Sequence, residues 1–211
     1  MKLILIAFFI TLSAGSLAQV DYSIEMGNYN IDSLENNLGA HKSFLPEIKT
    51  PALIALSWYP ELKDDEIVFK YKNINSTART TMTFFSIFKN NNKKFIIYIN
   101  RDSTRNGIAL EDISVSAMVG LIGHELAHVE IFKQKKFFGL LFWGFKYLFQ
   151  KQQKQLEIDT DKLTIQKGLG WPLYAWADFV LNHSNAKDSY IKMKTNKYLS
   201  PSQILEIIDQ K

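Results

Sequence analysis

The stretch SVSAMVGLIGHELAHVEIF, residues 114–132, decides the reading of this chain. Ser114 is a good N-cap, and Val115, Met118, Leu121, Ile122, Leu126 and Val129 recur at helical spacing. The pattern predicts one helix from Ser114 to about Phe132. His124 and His128 sit four apart on it, about 40° around the axis, so both imidazoles point the same way. Glu125 is rotated about 100° from His124. An unpaired His-Glu-His cluster in so apolar a helix would be costly to bury. The chain has only four histidines, and two of them are here.

Two neutral imidazoles at this spacing can share one Zn²⁺ at about 2.0–2.1 Å. Glu125 stands close enough to serve a water molecule as base without being a ligand. His124-Glu125-Leu126-Ala127-His128 is thus the HExxH pattern of zinc metallopeptidases. The bland alternative, two histidines on a helix surface, has against it the apolar setting. A catalytic zinc needs three protein ligands and an open position. A metzincin would carry glycine three residues after His128 and histidine six after it, where this chain has Ile131 and Gln134. The other source is a carboxylate on a following helix. Glu157 and Asp161, four apart, share one face of such a helix. Glu157 would complete the metal shell, and Asp161 could accept the free ring N–H of His124, fixing its tautomer. Lys151, Lys154, Asp159, Lys162 and Lys167 surround them, so a solvated charged face is the competing reading.

HELAH followed at residue 157 by Glu-x-x-x-Asp resembles the gluzincin branch of zinc metallopeptidases. The run Glu157-Ile158-Asp159-Thr160-Asp161 is similar to the Glu-x-x-Ala-Asp signature of the HtpX-like peptidases, relatives of the CAAX prenyl proteases. Thr160 stands where that family usually has Ala. The match spans residues 114–168, about a quarter of the chain. It implies an α+β, zincin-like fold, with His124, His128 and Glu157 binding one zinc per chain and Glu125 as the catalytic base. It also implies that the strand before the active-site helix, Phe95 to Asn100, pairs with an extended peptide or protein substrate.

Composition agrees with one compact domain. Of 211 residues 46% are apolar and 22% charged, which excludes a disordered, collagen-like or coiled-coil chain. There is no cysteine, hence no disulfide, thiolate site or cysteine nucleophile. Net charge is +4, too small and scattered to suggest nucleic acid as a partner. Residues 1–18 have the layout of a secretory signal: Lys2, an apolar run from Leu3 to Leu12, and Ser16-Leu17-Ala18 for cleavage. The mature chain, 19–211, is therefore expected in a periplasm or outside the cell.

A polar arm or short helix is expected over 19–45, with His41 structural or exposed. Thr50-Pro51 reads as the opening of an apolar helix through Trp58. Glu66 to Tyr71, Thr80 to Phe88 and Phe95 to Asn100 read as strands of a small antiparallel sheet, with a hairpin at Asn90-Asn91-Asn92. A helix from about Gln152 to Lys167 should end at Gly168, and two shorter helices should begin at Pro172 and after Ser200-Pro201.

Acyl transfer usually employs a second electrophile beside the metal. His183, which follows the second motif helix, is the candidate, and Tyr174 the runner-up. The segment from Phe137 to Phe149 carries one charge in thirteen residues, too short to span a bilayer. It reads either as core or as a peripheral contact with an anionic membrane surface. Two rivals to the peptidase follow: a catalytically silent zinc-binding domain, and a membrane-surface interaction protein without metal.

Overall fold

The computed structural model describes residues 29–89, 93–134 and 150–210. The signal segment, the Asn90-Asn91-Asn92 hairpin and the Phe137 to Phe149 segment lie outside them. Apart from single helical turns such as Ser103–Asn106, the elements are α1 (Ile31–Leu38), β1 (Lys42–Ser43), α2 (Lys49–Leu56), β2 (Glu66–Tyr71), β3 (Ala78–Met82), β4 (Lys94–Ile99) and α3 (Val115–Gln134). They continue with α4 (Gln150–Thr164), α5 (Gly170–Asp178), α6 (Asp188–Lys197) and α7 (Pro201–Asp209). The fold is α+β.

The four strands form a mixed sheet in the order β1-β2-β4-β3, not an antiparallel one. β1, β2 and β4 run parallel, and only β3 is antiparallel, Thr80 standing opposite Ile97. Composition explains the order. β4 buries Phe95, Ile97 and Ile99 completely and half-buries the residues between them, so it takes the interior position. β3, with Arg79 exposed and Thr81 and Met82 half-buried, takes an edge. The family resemblance implied that Phe95 to Asn100 pairs with a substrate, but β4 has a neighbour on each side and its ladder is taken; among the described residues the edge strands are β1 and β3.

The strand expected from Thr80 to Phe88 stops at Met82. Thr83 and Ser86 capture the chain there: the Ser86 N–H donates to the Thr83 carbonyl at 2.9 Å, and the Ser86 hydroxyl accepts from the Lys94 N–H at 2.8 Å. These short-range bonds compete with the ladder and bend Phe84–Phe88 into a 3₁₀ turn. Helix α2 begins at Lys49, so Thr50 lies inside its first turn rather than capping it. Helix α6 was not legible because its mostly polar sequence buries only Tyr190.

α3 is the axis of the molecule. Every residue from Ser116 to Glu130 is buried against α2, α4, α5 and β3. It is long and apolar enough to cross a membrane, yet 83% of its apolar window is buried inside the protein. The Ser114 hydroxyl accepts from the Ala117 N–H at 3.2 Å, which starts the helix where expected. α4 runs on into a wider turn, Ile165–Leu169, that ends at Gly168 with φ +98°, so the expected glycine stop is present.

α3 and α5 touch at Gly120. A Cβ there would lie 2.0 Å from the Pro172 carbonyl oxygen, a backbone atom that cannot rotate away. Gly120→Ala is expected to cost at least about 2 kcal/mol through overpacking. Thermal unfolding should register it as a Tm lower by several degrees.

Candidate metal centre

Two helices build the site. α3 carries His124 and His128, and α4, packed against it, carries Glu157, Thr160 and Asp161. All five are buried. The three- and four-residue spacings on α4 put its polar groups on one face, and apolar Leu156 and Ile165 flank them in the interior. Neither Glu157 nor Asp161 is a solvated surface charge.

The histidines are oriented from behind. His124 Nδ1 lies 2.8 Å from Asp161 Oδ1, and the other carboxylate oxygen of Asp161 accepts the Leu199 N–H at 2.9 Å. His128 Nδ1 lies 3.3 Å from the Thr160 hydroxyl oxygen. That hydroxyl donates to the Leu156 carbonyl at 2.8 Å, so toward His128 it acts as acceptor. Both rings can therefore donate from Nδ1 to a fixed acceptor behind them and turn Nε2 forward, the orientation a metal ligand needs. Thr160 thus does what alanine in its place could not.

Both Nε2 atoms converge on one carboxylate oxygen. Glu157 Oε2 is 3.2 Å from His124 Nε2 and 3.3 Å from His128 Nε2. One ligand atom from each residue falls within 4.8 Å of the other two, a group that could hold a metal ion. The Glu157 carboxylate also links the two imidazoles electrostatically. Burial opposes charge on His124, but the Asp161 and Glu157 hydrogen bonds outweigh it and raise its pKa to about 10. Burial would raise Glu157, but His124 and His128 overcome it and hold the carboxyl far below its ordinary value.

His128 and Glu157 line a cleft of about 630 Å³ together with Thr80, Glu125 and Tyr198, and His124 stands behind them, lining a second cavity with Asp161 and Tyr198. Glu125 Oε2 accepts a hydrogen bond from the Thr80 hydroxyl at 2.7 Å, which fixes the carboxylate across the gap between β3 and α3. Tyr198 follows α6, its ring 5.5 Å from that of His124 and under the Lys194 ammonium, 3.7 Å from the ring centre. Burial, then the charges of Glu157, Tyr190, Glu125 and Asp161, push its phenol well above 10, so it stays a donor.

His183 is not among the residues lining this cleft. It is exposed at the end of the turn Phe179–His183, with Nε2 3.1 Å from Asp178. Tyr174 is half-buried on α5, edge-on to Trp171. His41 is exposed, with φ +64°. Sequence reasoning missed Thr80 and Tyr198, which no local motif marks; both reach the site from elements distant along the chain. Comparison with protein-family models, curated proteins and solved structures returned no match.

Proposed function

We propose that this protein is an exported, zinc-dependent peptidase of gluzincin type, acting on peptide or protein substrates. One observation carries the reading: Nε2 of His124 and Nε2 of His128 converge on Oε2 of Glu157, at the wall of a cleft that Glu125 also lines. Bonds of 2.0–2.1 Å in a tetrahedral array separate ligand atoms by about 3.3 Å. The 3.2 and 3.3 Å separations around Glu157 Oε2 fit that figure. Two imidazoles and one carboxylate, with no thiolate, are a donor set for catalytic zinc.

When bound, zinc supplies Lewis-acid activation of water and of the substrate carbonyl. The rest belongs to the chain. The free edge of β3 suits an extended peptide, which pairs through its backbone and lies along the cleft. Glu125, oriented by Thr80, accepts a proton from the attacking water. As the new C–O bond forms and the C–N bond breaks, it passes that proton to the departing amine. The Tyr198 hydroxyl, protonated throughout, donates a hydrogen bond to the oxygen on which negative charge develops. His124 and His128 keep their tautomers through Asp161 and Thr160.

The test is the metal content of purified residues 19–211 together with hydrolysis of a quenched-fluorescence peptide library. About one zinc per chain is expected, with cleavage abolished by a chelator and restored by zinc. A protein that binds no zinc even after reconstitution would refute the reading. Tyr198→Phe should lower kcat by about 10–100-fold while KM changes little, since only the transition state loses a partner. An unchanged kcat would remove Tyr198 from the mechanism.

A further inference from the structure

Phe84 is 67%, Phe85 78% and Phe88 59% exposed, all on the 3₁₀ turn that follows β3. Clustered aromatic exposure of this kind marks an interaction surface rather than scattered surface apolarity. The cluster is built. Phe84 meets Phe85 and Phe88 edge-on at 5.8 and 5.5 Å, and the Thr83, Ser86 and Lys94 hydrogen bonds pin the turn that presents them.

Its place relative to the cleft suggests its occupant. Thr80 holds the base, Met82 two residues on still lines the cleft, and Phe84 lies two residues beyond Met82. The strand advances about 3.3 Å per residue as far as Met82, and the turn opens two residues beyond it, so a peptide that follows the β3 edge past Met82 meets the turn about four residues from the scissile bond. Phe132 and Met82 make the intervening wall apolar. An anionic membrane surface is less well served. Lys94, which opens the neighbouring strand, is paired with Glu66, and Lys133 at the near end of α3 with Asp65; of the described lysines beside the turn that leaves exposed Lys89, and one cation adds only about 1 kcal/mol of attraction to such a surface.

We infer that the Phe84–Phe88 turn is a substrate exosite, taking bulky apolar side chains four to five residues from the scissile bond of an extended polypeptide. The inference rests on the peptidase reading and adds a substrate class to it: chains with an apolar flank, not short polar peptides.

The experiment uses zinc-loaded 19–211 and peptides sharing one cleaved core. The flanking positions four and five, on either side, carry Phe-Leu in one set and Ser-Ser in the other. Phe85→Ser, the most exposed position, is compared with the triple variant Phe84→Ser/Phe85→Ser/Phe88→Ser. In the parent, kcat/KM should favour one Phe-Leu flank by about tenfold, within what burying such side chains supplies, and mainly through KM. Phe85→Ser should reduce that preference severalfold, and the triple variant should bring it near one. A preference absent in the parent, or unchanged in both variants, overturns the exosite. So does vesicle co-sedimentation that the variants abolish while the peptide preference stays, which would assign the turn to a bilayer. If no peptide is cleaved, the peptidase reading fails by itself. Fluorescence anisotropy of the same labelled peptides then decides: tighter binding of the Phe-Leu flank, lost in Phe85→Ser, keeps the surface, and equal binding discards it.

Discussion

Glu125→Gln is expected to keep its metal and lose hydrolysis, with kcat falling about 10²–10⁴-fold, the range for removal of a general base. The substitution keeps the side-chain shape. The carboxamide oxygen can still accept the Thr80 hydroxyl that Glu125 Oε2 accepts at 2.7 Å, so fold and cleft should persist. What disappears is a carboxylate basic enough to take a proton from water, the role proposed for it. Metal content should equal that of the parent, because the three convergent ligand atoms come from His124, His128 and Glu157. Steady-state kinetics on the best library peptide, with zinc measured on the same sample, checks both halves. Activity that survives in the variant would remove Glu125 from the role of base; a parent protein that holds zinc and cleaves no peptide would instead favour the catalytically silent domain.

The second large effect is expected for Glu157→Ala. It removes the one atom on which both histidine Nε2 atoms converge and leaves a buried protonated imidazole short of a partner. Losing even an outer partner of a metal ligand typically costs 10–100-fold in affinity, so loss of the ligand itself should exceed about 100-fold. Competition against a zinc chelator measures this directly. Retention of parental affinity would move the third ligand elsewhere, with Asp161 next in reach.

Metal-free protein offers a further reading of the same residue. The pKa of His124 is raised from 6.5 to about 10, so the stability it contributes is full below 6.5 and lost as pH climbs toward 10. The pKa of Glu157 is lowered from 4.5, so its contribution is full above 4.5 and lost as pH falls below that. Chelated protein should therefore be most stable between about pH 4.5 and 6.5. Zinc must displace the His124 proton, so the Tm gained on loading should grow as pH rises above that window. Chelated Glu157→Ala should show a shallower profile on the acid side. A profile as steep as the parent's would mean that the carboxyl does not titrate with folding.

Much of this centre is written in local order along the chain. The four-residue spacing of His124 and His128 compels a shared face once the segment is helical, and the spacing of Glu157 and Asp161 does the same on α4. The pairing of Asp161 with His124 was legible for the same reason, since a carboxylate one turn past a ligand reaches behind it. Helix starts at Ser114 and Ser200 and the stop at Gly168 were equally local, being capping and φ preferences of single residues.

Strand order was not local. A run such as Phe95 to Ile99 states that it wants burial, but not which neighbours provide it. Only the competition among strands put β4 inside and β3 at an edge. Thr83 and Ser86 ended β3 early through hydrogen bonds weaker in pattern than the Phe-Phe-x-x-Phe run they interrupt, and so exposed three phenylalanines. Thr80 and Tyr198 reach the centre across 45 and 41 residues of chain from Glu125 and Glu157, and His183, nearer along the chain than Tyr198, faces away. The sequence by itself determined which residues could hold a metal, because helical periodicity is a short-range property. Which groups orient Glu125 and shape the cleft was decided by tertiary structure, because those contacts depend on how separate elements share one buried core.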